Sequence, residues 1–166
     1  MGMILLNDGA GHFSDSGQHL SSAGASSLAL GDLDHDGDPD ILLGDEHGAL
    51  AWINQGGRQG GQAGTFSASD DSISGSQTRN VVLDDLDRDG DLDALVVGKR
   101  RAALWWNDGQ GHFTQARQSF PCSERQNLTT GDFNGDGWED IFIATYDKTS
   151  QVWFDNGKGG FQTDIH

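Results

Sequence analysis

Residues 30–41 read LGDLDHDGDPDI, and the same spacing of acidic residues occurs twice more in the chain. The second copy is LDDLDRDGDLDA at 83–94, and the third is TGDFNGDGWEDI at 130–141. In each copy a short apolar segment precedes the acidic residues and a continuous apolar run follows them. This order predicts an acidic loop between two β-strands, of which the second is buried on both faces.

A second motif alternates with the acidic loop. LNDGAGHF at 6–13 matches WNDGQGHF at 106–113, and FDNGKGGF at 154–161 is a looser copy. A fourth copy is interrupted by a lengthened loop at 57–64. Asn, Asp and Gly favour hairpin turns, so this motif predicts the turn between a third and a fourth strand. Both motifs recur about every 50 residues, which is the size of one four-stranded propeller blade.

We therefore expect an all-β fold of propeller blades, each with four antiparallel strands, and about three and a half blades in the chain. The chain is predicted to form a single repeat domain over 1–166. Its parts are a half blade at 1–20 and three blades at 21–74, 75–121 and 122–166. Three tryptophans at matching positions of the third strand are expected in the core between blades: Trp52, Trp105 and Trp153. Because three and a half blades do not close a ring, oligomerisation or a larger assembly is expected to complete it.

The acidic loops have the chemistry of metal sites, because carboxylates at this density repel one another strongly unless a cation lies among them. Their spacing is D-x-[DN]-x-D-G-x-x-D: side chains at positions 1, 3, 5 and 9 and the carbonyl at position 7 surround one centre. Hard oxygen ligands in a flexible loop favour Ca²⁺ over Mg²⁺ and exclude a thiolate or imidazole zinc site. Three calcium sites are predicted. Their ligands are Asp32, Asp34, Asp36, Asp38 and Asp40; Asp85, Asp87, Asp89, Asp91 and Asp93; and Asp132, Asn134, Asp136, Trp138 and Asp140.

Two other kinds of loop share part of this pattern. An EF-hand shares the first six positions but needs an acidic residue at position 12 and a following helix. Position 12 is Leu43, Val96 or Ile143, each within an apolar run, so all three copies fail that test. Plain acidic surface turns are common, but three copies in register, each with Asp at position 9, favour ion binding.

With these residues in view, the chain resembles the FG-GAP/VCBS repeats of integrin-α-like β-propellers, whose blades carry the D-x-D-x-D-G-x-x-D loop between strands one and two. Gly159-Gly160-Phe161 and the His-Phe pairs at 12–13 and 112–113 resemble the FG element. The resemblance covers essentially the whole chain. It implies a propeller fold, calcium in each loop, and a role in adhesion, carbohydrate binding or protein interaction.

Composition excludes several classes of partner. The 166 residues contain 26 Asp+Glu and 10 Lys+Arg, a net charge of −16, which would repel nucleic acid. No apolar run approaches the roughly 20 residues that span a bilayer, so membrane insertion is not expected. The only basic cluster is Lys99-Arg100-Arg101, in the predicted hairpin between strands two and three. It is either a solvated hairpin tip or a contact for an anionic partner.

The sequence predicts a non-enzymatic binding module. It lacks the G-x-S-x-G, Walker, H-E-x-x-H and Cys/His zinc motifs. The module is expected to bind protein or carbohydrate and to associate with itself or with a protein partner; the alternative is a scaffold without a small ligand. Trp138, at loop position 7, is a candidate ligand contact. Calcium points to an extracellular or cell-surface location, although no signal peptide is visible at the N-terminus.

Overall fold

The chain folds entirely as β-strands joined by turns over the residues that the computed structural model describes, which are 2–21, 24–56, 60–62, 64–75, 77–123, 126–146 and 148–163. The lengthened loop expected at 57–64 lies partly outside these residues. No helix that could cross a membrane occurs in the described part of the chain. Fourteen strands are present there: β1 Gly2–Asn7, β2 Phe13–Leu20, β3 Ser27–Gly31, β4 Asp40–Asp45, β5 Gly48–Asn54, β6 Phe66–Ser74, β7 Asn80–Asp84, β8 Asp93–Val97, β9 Arg101–Asn107, β10 Phe113–Pro121, β11 Gln126–Gly131, β12 Asp140–Thr145, β13 Gln151–Asp155 and β14 Phe161–Gln162.

The strands form four antiparallel sheets in chain order, which is the topology of propeller blades. Blade 1 is the two-stranded sheet β1-β2, and blades 2, 3 and 4 are the four-stranded sheets β3-β6, β7-β10 and β11-β14. The sheets form an arc in which the ring is not closed. The expected all-β propeller fold with a leading half blade is confirmed.

Apolar cores fill the three spaces between neighbouring blades. Successive residues of a strand point to opposite faces of its sheet, so each second strand contributes to two cores. Leu42 of β4 packs toward blade 3, whereas Ile41 and Leu43 pack toward blade 1. This explains why β4 and β8 are buried on both faces. The three repeated tryptophans belong to these cores, as expected: Trp52, Trp105 and, less deeply, Trp153.

Phe120 is the largest fully buried side chain and lies between blades 3 and 4. Its ring meets Trp153 edge to face at 5.2 Å between centroids, and Phe161 in the same way at 5.7 Å. The matching positions of the earlier blades hold the smaller Leu20 and Ile73. The interface between blades 3 and 4 therefore depends on one aromatic cluster.

Glutamine side chains tie the outer strands of two neighbouring blade pairs together. Gln18 of β2 donates to the carbonyl of Phe66 and accepts from its N–H. Gln118 of β10 makes the same pair of bonds with Phe161, at 2.6 and 3.0 Å. The corresponding residue of β6 is Asp71, which cannot donate. Only the interface between blades 2 and 3 has a carboxylate at this position.

Asp71→Gln is expected to raise the free energy of unfolding by about 1 kcal/mol, because a glutamine there can bond both backbone groups of Phe113. The measurement is urea unfolding of the variant beside wild type. Gln118→Ala is the matched reverse change and should lower stability by a similar amount. An Asp71→Gln variant no more stable than wild type would show that β6 and β10 lie too far apart for this tie.

Candidate metal loops and ligand cleft

The aspartates at loop position 9 are fully buried and tie each acidic loop to the third strand of its blade. Asp40 accepts hydrogen bonds from the N–H groups of Leu33 and Asn54, both at 2.7 Å. Asp93 and Asp140 repeat the arrangement. Each oxygen that accepts one N–H keeps a second lone pair. Position 9 therefore builds the loop whether or not it also coordinates an ion, a role that the spacing alone did not reveal.

The first acidic loop, 32–40, brings carboxylates together. Oxygens of Asp32, Asp34 and Asp40 lie within 4.8 Å of one another. The Oδ2 atoms of Asp36 and Asp38 are buried and have no hydrogen-bond partner among the described residues. The turn is closed by the N–H of Gly37, which donates to Asp32 from a backbone φ of +93°, a conformation that suits glycine. All five residues predicted as ligands thus either converge or leave a buried oxygen unpaired.

The second acidic loop, 85–93, forms a similar group from different positions. Oxygens of Asp85, Asp87 and Asp89 lie within 4.8 Å of one another, and one oxygen of Asp85 is buried without a partner. Asp93 is not in this group. The carboxylate of Asp91 instead bonds His35 of the first loop. The second loop therefore presents its three carboxylates from positions 1, 3 and 5.

The third acidic loop, 132–140, shows no such convergence of carboxylates among its described residues. Both oxygens of Asp132 accept loop N–H groups, from Gly135 at 2.7 Å and Gly137 at 2.9 Å. The amide of Asn134 donates to Asp136 at 2.8 Å. Asp32 of the first loop also accepts two loop N–H groups, so the third loop differs in its lack of converging carboxylates and in having Asn134 at position 3.

Neighbouring acidic loops contact each other through a repeated pair of positions. The side chain at position 4 of one loop reaches position 7 of the next: His35 bonds Asp91, and Arg88 stacks 4.3 Å from the ring centre of Trp138. His35 and Arg88 both have positive φ, of 57° and 63°. Position 4 is Gly135 in the third loop, so the described contacts join loop one to two and loop two to three.

A cleft beside the third loop is lined by two partly exposed tryptophans. It has a volume of about 360 Å³ and lies between blades 3 and 4. Two glycines of one turn lie close to these rings. A Cβ added to Gly157 would lie 3.9 Å from Trp138, and a Cβ added to Gly159 would lie 3.9 Å from Trp106. We call this the tryptophan cleft. Its lining residues are Asp87, Trp106, Trp138, Gly157, Lys158 and Gly159.

The model of the FG-GAP-like repeat matches the chain three times, at residues 2–43, 32–96 and 85–142. The chain belongs to the FG-GAP-like repeat family. The three matches overlap at the acidic loops and together cover most of the chain, so the family expected from the motifs is confirmed. No curated protein matches the chain by sequence.

A lectin from Agrocybe aegerita, solved to explain its specific recognition of non-reducing terminal N-acetylglucosamine, has a similar fold. The TM-score is 0.58 at 21% sequence identity, over 96% of this chain and 44% of the lectin chain. This FG-GAP-like chain therefore spans less than half the length of that lectin. At this identity the similarity shows the propeller fold alone.

Burial raises the pKa of the position-9 aspartates of the first two FG-GAP-like loops, Asp40 and Asp93. It raises the pKa of Asp40 to about 6 and the pKa of Asp93 to about 7, although two backbone N–H groups on each favour the ionised form. The charges of neighbouring loop aspartates add to the rise, Asp34 and Asp36 in the first loop and Asp87 and Asp89 in the second. These carboxyl groups are therefore held protonated in the absence of a cation at pH values where exposed aspartates are ionised.

Without divalent ions, stability is expected to fall as pH rises from about 4 to about 7, by an amount on the order of a few kcal/mol. The unfolded chain loses these protons near 3.8, and the folded chain keeps them up to the raised pKa values of Asp40 and Asp93. The raised pKa of His35, caused mainly by its bond to Asp91, acts in the same direction. The measurement is the melting temperature of metal-stripped protein at pH 5 and 7.5. A higher value at pH 7.5 would contradict the assignment of the shifts to burial.

Proposed function

We propose that this chain is a non-enzymatic, calcium-binding β-propeller module that binds carbohydrate. The observation that carries the proposal is the convergence of three carboxylates in each of the first two acidic loops, with buried oxygens that have no partner within the described residues. An unpaired buried carboxylate oxygen is costly, and a cation removes that cost.

The donor set fits Ca²⁺. Calcium–oxygen distances of about 2.3–2.6 Å place ligand oxygens on opposite sides of the ion about 5 Å apart. The carboxylate oxygens of both loops lie within 4.8 Å of one another, and all are hard donors. The carbonyls of Asp38 and Asp91 at position 7 and the aspartates at position 9 complete the predicted shells. The third loop is proposed to bind more weakly, because its carboxylates do not converge and Asn134 replaces a carboxylate at position 3.

Bound calcium would stabilise the turn between the first two strands of each blade and neutralise its charge. No step of a reaction is assigned to the ion. The position-9 aspartates fix the loops to the third strands, so stabilising a loop also fixes the adjacent turns. The turn beside the third loop forms one wall of the tryptophan cleft.

The tryptophan cleft is the proposed carbohydrate site. Indole rings pack against the apolar faces of sugar rings, and the carboxylate of Asp87 and the ammonium of Lys158 can bond hydroxyl groups. The stacked guanidinium of Arg88 holds Trp138 in place. The similar fold of a lectin that recognises terminal N-acetylglucosamine supports this class of ligand.

A glycan array of neutral saccharides, followed by calorimetry with N-acetylglucosamine in 1 mM CaCl₂, tests the site. Trp138→Ala should weaken binding up to about tenfold, which is the loss expected from one stacked ring. Tyr146→Ala is the control, because this exposed aromatic lies in the β12–β13 connection, outside the cleft. Carbohydrate binding at this cleft would be rejected if no saccharide on the array bound, or if Trp138→Ala bound as tightly as the wild-type chain.

Self-association is a second proposed property, supported by blade 1. The edge of β1 opposite β2 pairs with no strand among the described residues, and Met3 and Leu5 on β1 are 55% and 48% exposed. Exposed strand edges and apolar side chains favour association. A second copy or a protein partner covering β1 would make the chain an adhesive or assembly unit, in keeping with the proposed extracellular or cell-surface location.

Native mass spectrometry at micromolar concentration should show species above 17.8 kDa, and a strictly monomeric spectrum would reject self-association.

A further inference from the structure

A second cavity lies at the end of blade 3 that is remote from its acidic loop. It has a volume of about 680 Å³ and is enclosed by the connection from β6 to β7 and by the β8–β9 hairpin. The acidic loop precedes β8 at Asp93, whereas the hairpin follows β8 at Val97, so the strand separates the two sites. We call this the basic cavity. Its lining residues are Ser74, Gly75, Gln77, Thr78, Val96, Gly98, Lys99, Arg100, Arg101, Ala103, Trp105 and Gln115.

The charge of the basic cavity is opposite to that of the molecule. Three of the ten Lys and Arg residues of the chain line it, and none of its lining residues is acidic. In a chain of net charge −16, a wall with Lys99, Arg100 and Arg101 creates a local field that attracts anions. The corresponding hairpin of blade 2 carries the acidic pair Asp45 and Glu46, whose backbone carbonyls accept from Thr78 and Gln77 of the cavity wall. The cationic wall is therefore particular to blade 3.

Trp105, which lines the cavity, has an unused hydrogen-bond donor. The indole N–H of Trp105 is buried and has no partner within the described residues. The hydroxyl of Thr78 already donates to the carbonyl of Gly48 at 2.9 Å. Trp52 and Trp153 share the unpaired N–H, so this donor alone does not distinguish blade 3. The combination of this donor with two arginines distinguishes blade 3. Guanidinium groups bind carboxylate and sulfate in a two-point geometry.

The hairpin that carries the arginines is fixed by backbone hydrogen bonds. Gly98 donates to the carbonyl of Arg101 at 2.9 Å, and Cys122 donates to that of Arg100 at 2.9 Å. The pairing of β9 with β10 shifts register between Gln115 and Ser119, and Gln115 lines the cavity. The arginines thus project from a backbone held on two sides.

We propose that the basic cavity binds an acidic saccharide through a carboxylate or sulfate group, separately from the tryptophan cleft. Arg100 and Arg101 bind the anionic group, and the apolar surface of Val96 and Ala103 accommodates the ring. That the anion is carried by a saccharide rests on the proposed function; the anion site itself does not. A polymer of high charge density is disfavoured, because it would also approach the acidic surface of the chain.

Calorimetry of the full chain at low salt tests the proposal with three probes: galacturonic acid oligomers, glucose 6-sulfate and N-acetylglucosamine. The double variant Arg100→Gln, Arg101→Gln should bind the acidic probes at least tenfold more weakly. Arg117→Gln on β10 is the matched control, because this exposed arginine does not line the cavity. Binding of galacturonate alone identifies a carboxylate site, and binding of both acidic probes identifies a general anion site.

Several outcomes overturn the proposal: no binding of either acidic probe, equal binding by the double variant, or equal losses in the double variant and Arg117→Gln. Trp138→Ala separates this site from the proposed function. It should weaken binding of N-acetylglucosamine and leave the acidic probes unaffected. If N-acetylglucosamine fails to bind while the acidic probes bind through the arginines, the tryptophan cleft is rejected and the basic cavity stands. Loss of the acidic probes in Trp138→Ala would place them in the cleft and overturn the proposal.

Discussion

Removal of calcium is expected to lower the melting temperature by roughly 10 °C. At 1 mM Ca²⁺, a site with a dissociation constant near 10⁻⁴ M adds about 1.4 kcal/mol to the free energy of unfolding. Two well-formed loops and a weaker third therefore add about 3–4 kcal/mol, and each kcal/mol corresponds to about 2–4 °C in a chain of this size. Calorimetric melting in 1 mM CaCl₂ and in EGTA measures the difference.

A variant shows whether the effect arises in the acidic loops. Asp34→Asn removes one charge from the converging group of the first loop and should reduce the calcium-dependent rise by about a third. Asp70→Asn on β6 removes an exposed charge outside the loops and should leave the rise unchanged. Equal melting temperatures in calcium and EGTA would reject calcium binding, and an equal loss in both variants would indicate a general effect of charge.

Phe120→Ala is expected to lower the free energy of unfolding by about 3–5 kcal/mol, since it leaves a cavity among large side chains. The ring of Phe120 has no exposed surface and supports Trp153 and Phe161 from another blade. Urea unfolding monitored by tryptophan fluorescence measures the loss and also reports on Trp153.

Phe120→Leu provides the companion variant, because the matching residues of the other blades are aliphatic. It should lose less than half as much stability as Phe120→Ala. Phe133→Ala is the control: Phe133 is 50% exposed and should cost under 1 kcal/mol. If Phe120→Ala and Phe133→Ala were equally stable, blades 3 and 4 would not be held together by the aromatic cluster.

The fold could be predicted from the sequence because its signals are local and repeated. Apolar runs such as 94–97 and hairpin turns such as 107–111 fix strands within one repeat, and the spacing of the repeats gives the blade. The burial of Trp52 and Trp105 followed from the same regularity. These predictions need no knowledge of which distant residues meet.

The details of the sites depend on contacts between repeats, which the spacing of one motif does not contain. Identical spacing predicted three equivalent loops, yet the carboxylates converge in the first two loops and not in the third. The bonds of Gln118 to Phe161 join residues 43 positions apart. A comparison of the repeats column by column could have singled out Gln18 and Gln118, although not their partners. Whether any loop holds calcium stays a prediction.

The contacts between position 4 of one acidic loop and position 7 of the next have a consequence for how ions are taken up. An ion that orders the first loop also orders His35, which is hydrogen-bonded to Asp91 of the second loop. Arg88 of the second loop stacks in turn on Trp138 of the third loop. Loading should therefore be cooperative, with a Hill coefficient above one, so that the arc would respond to a threshold of calcium and not in proportion to it.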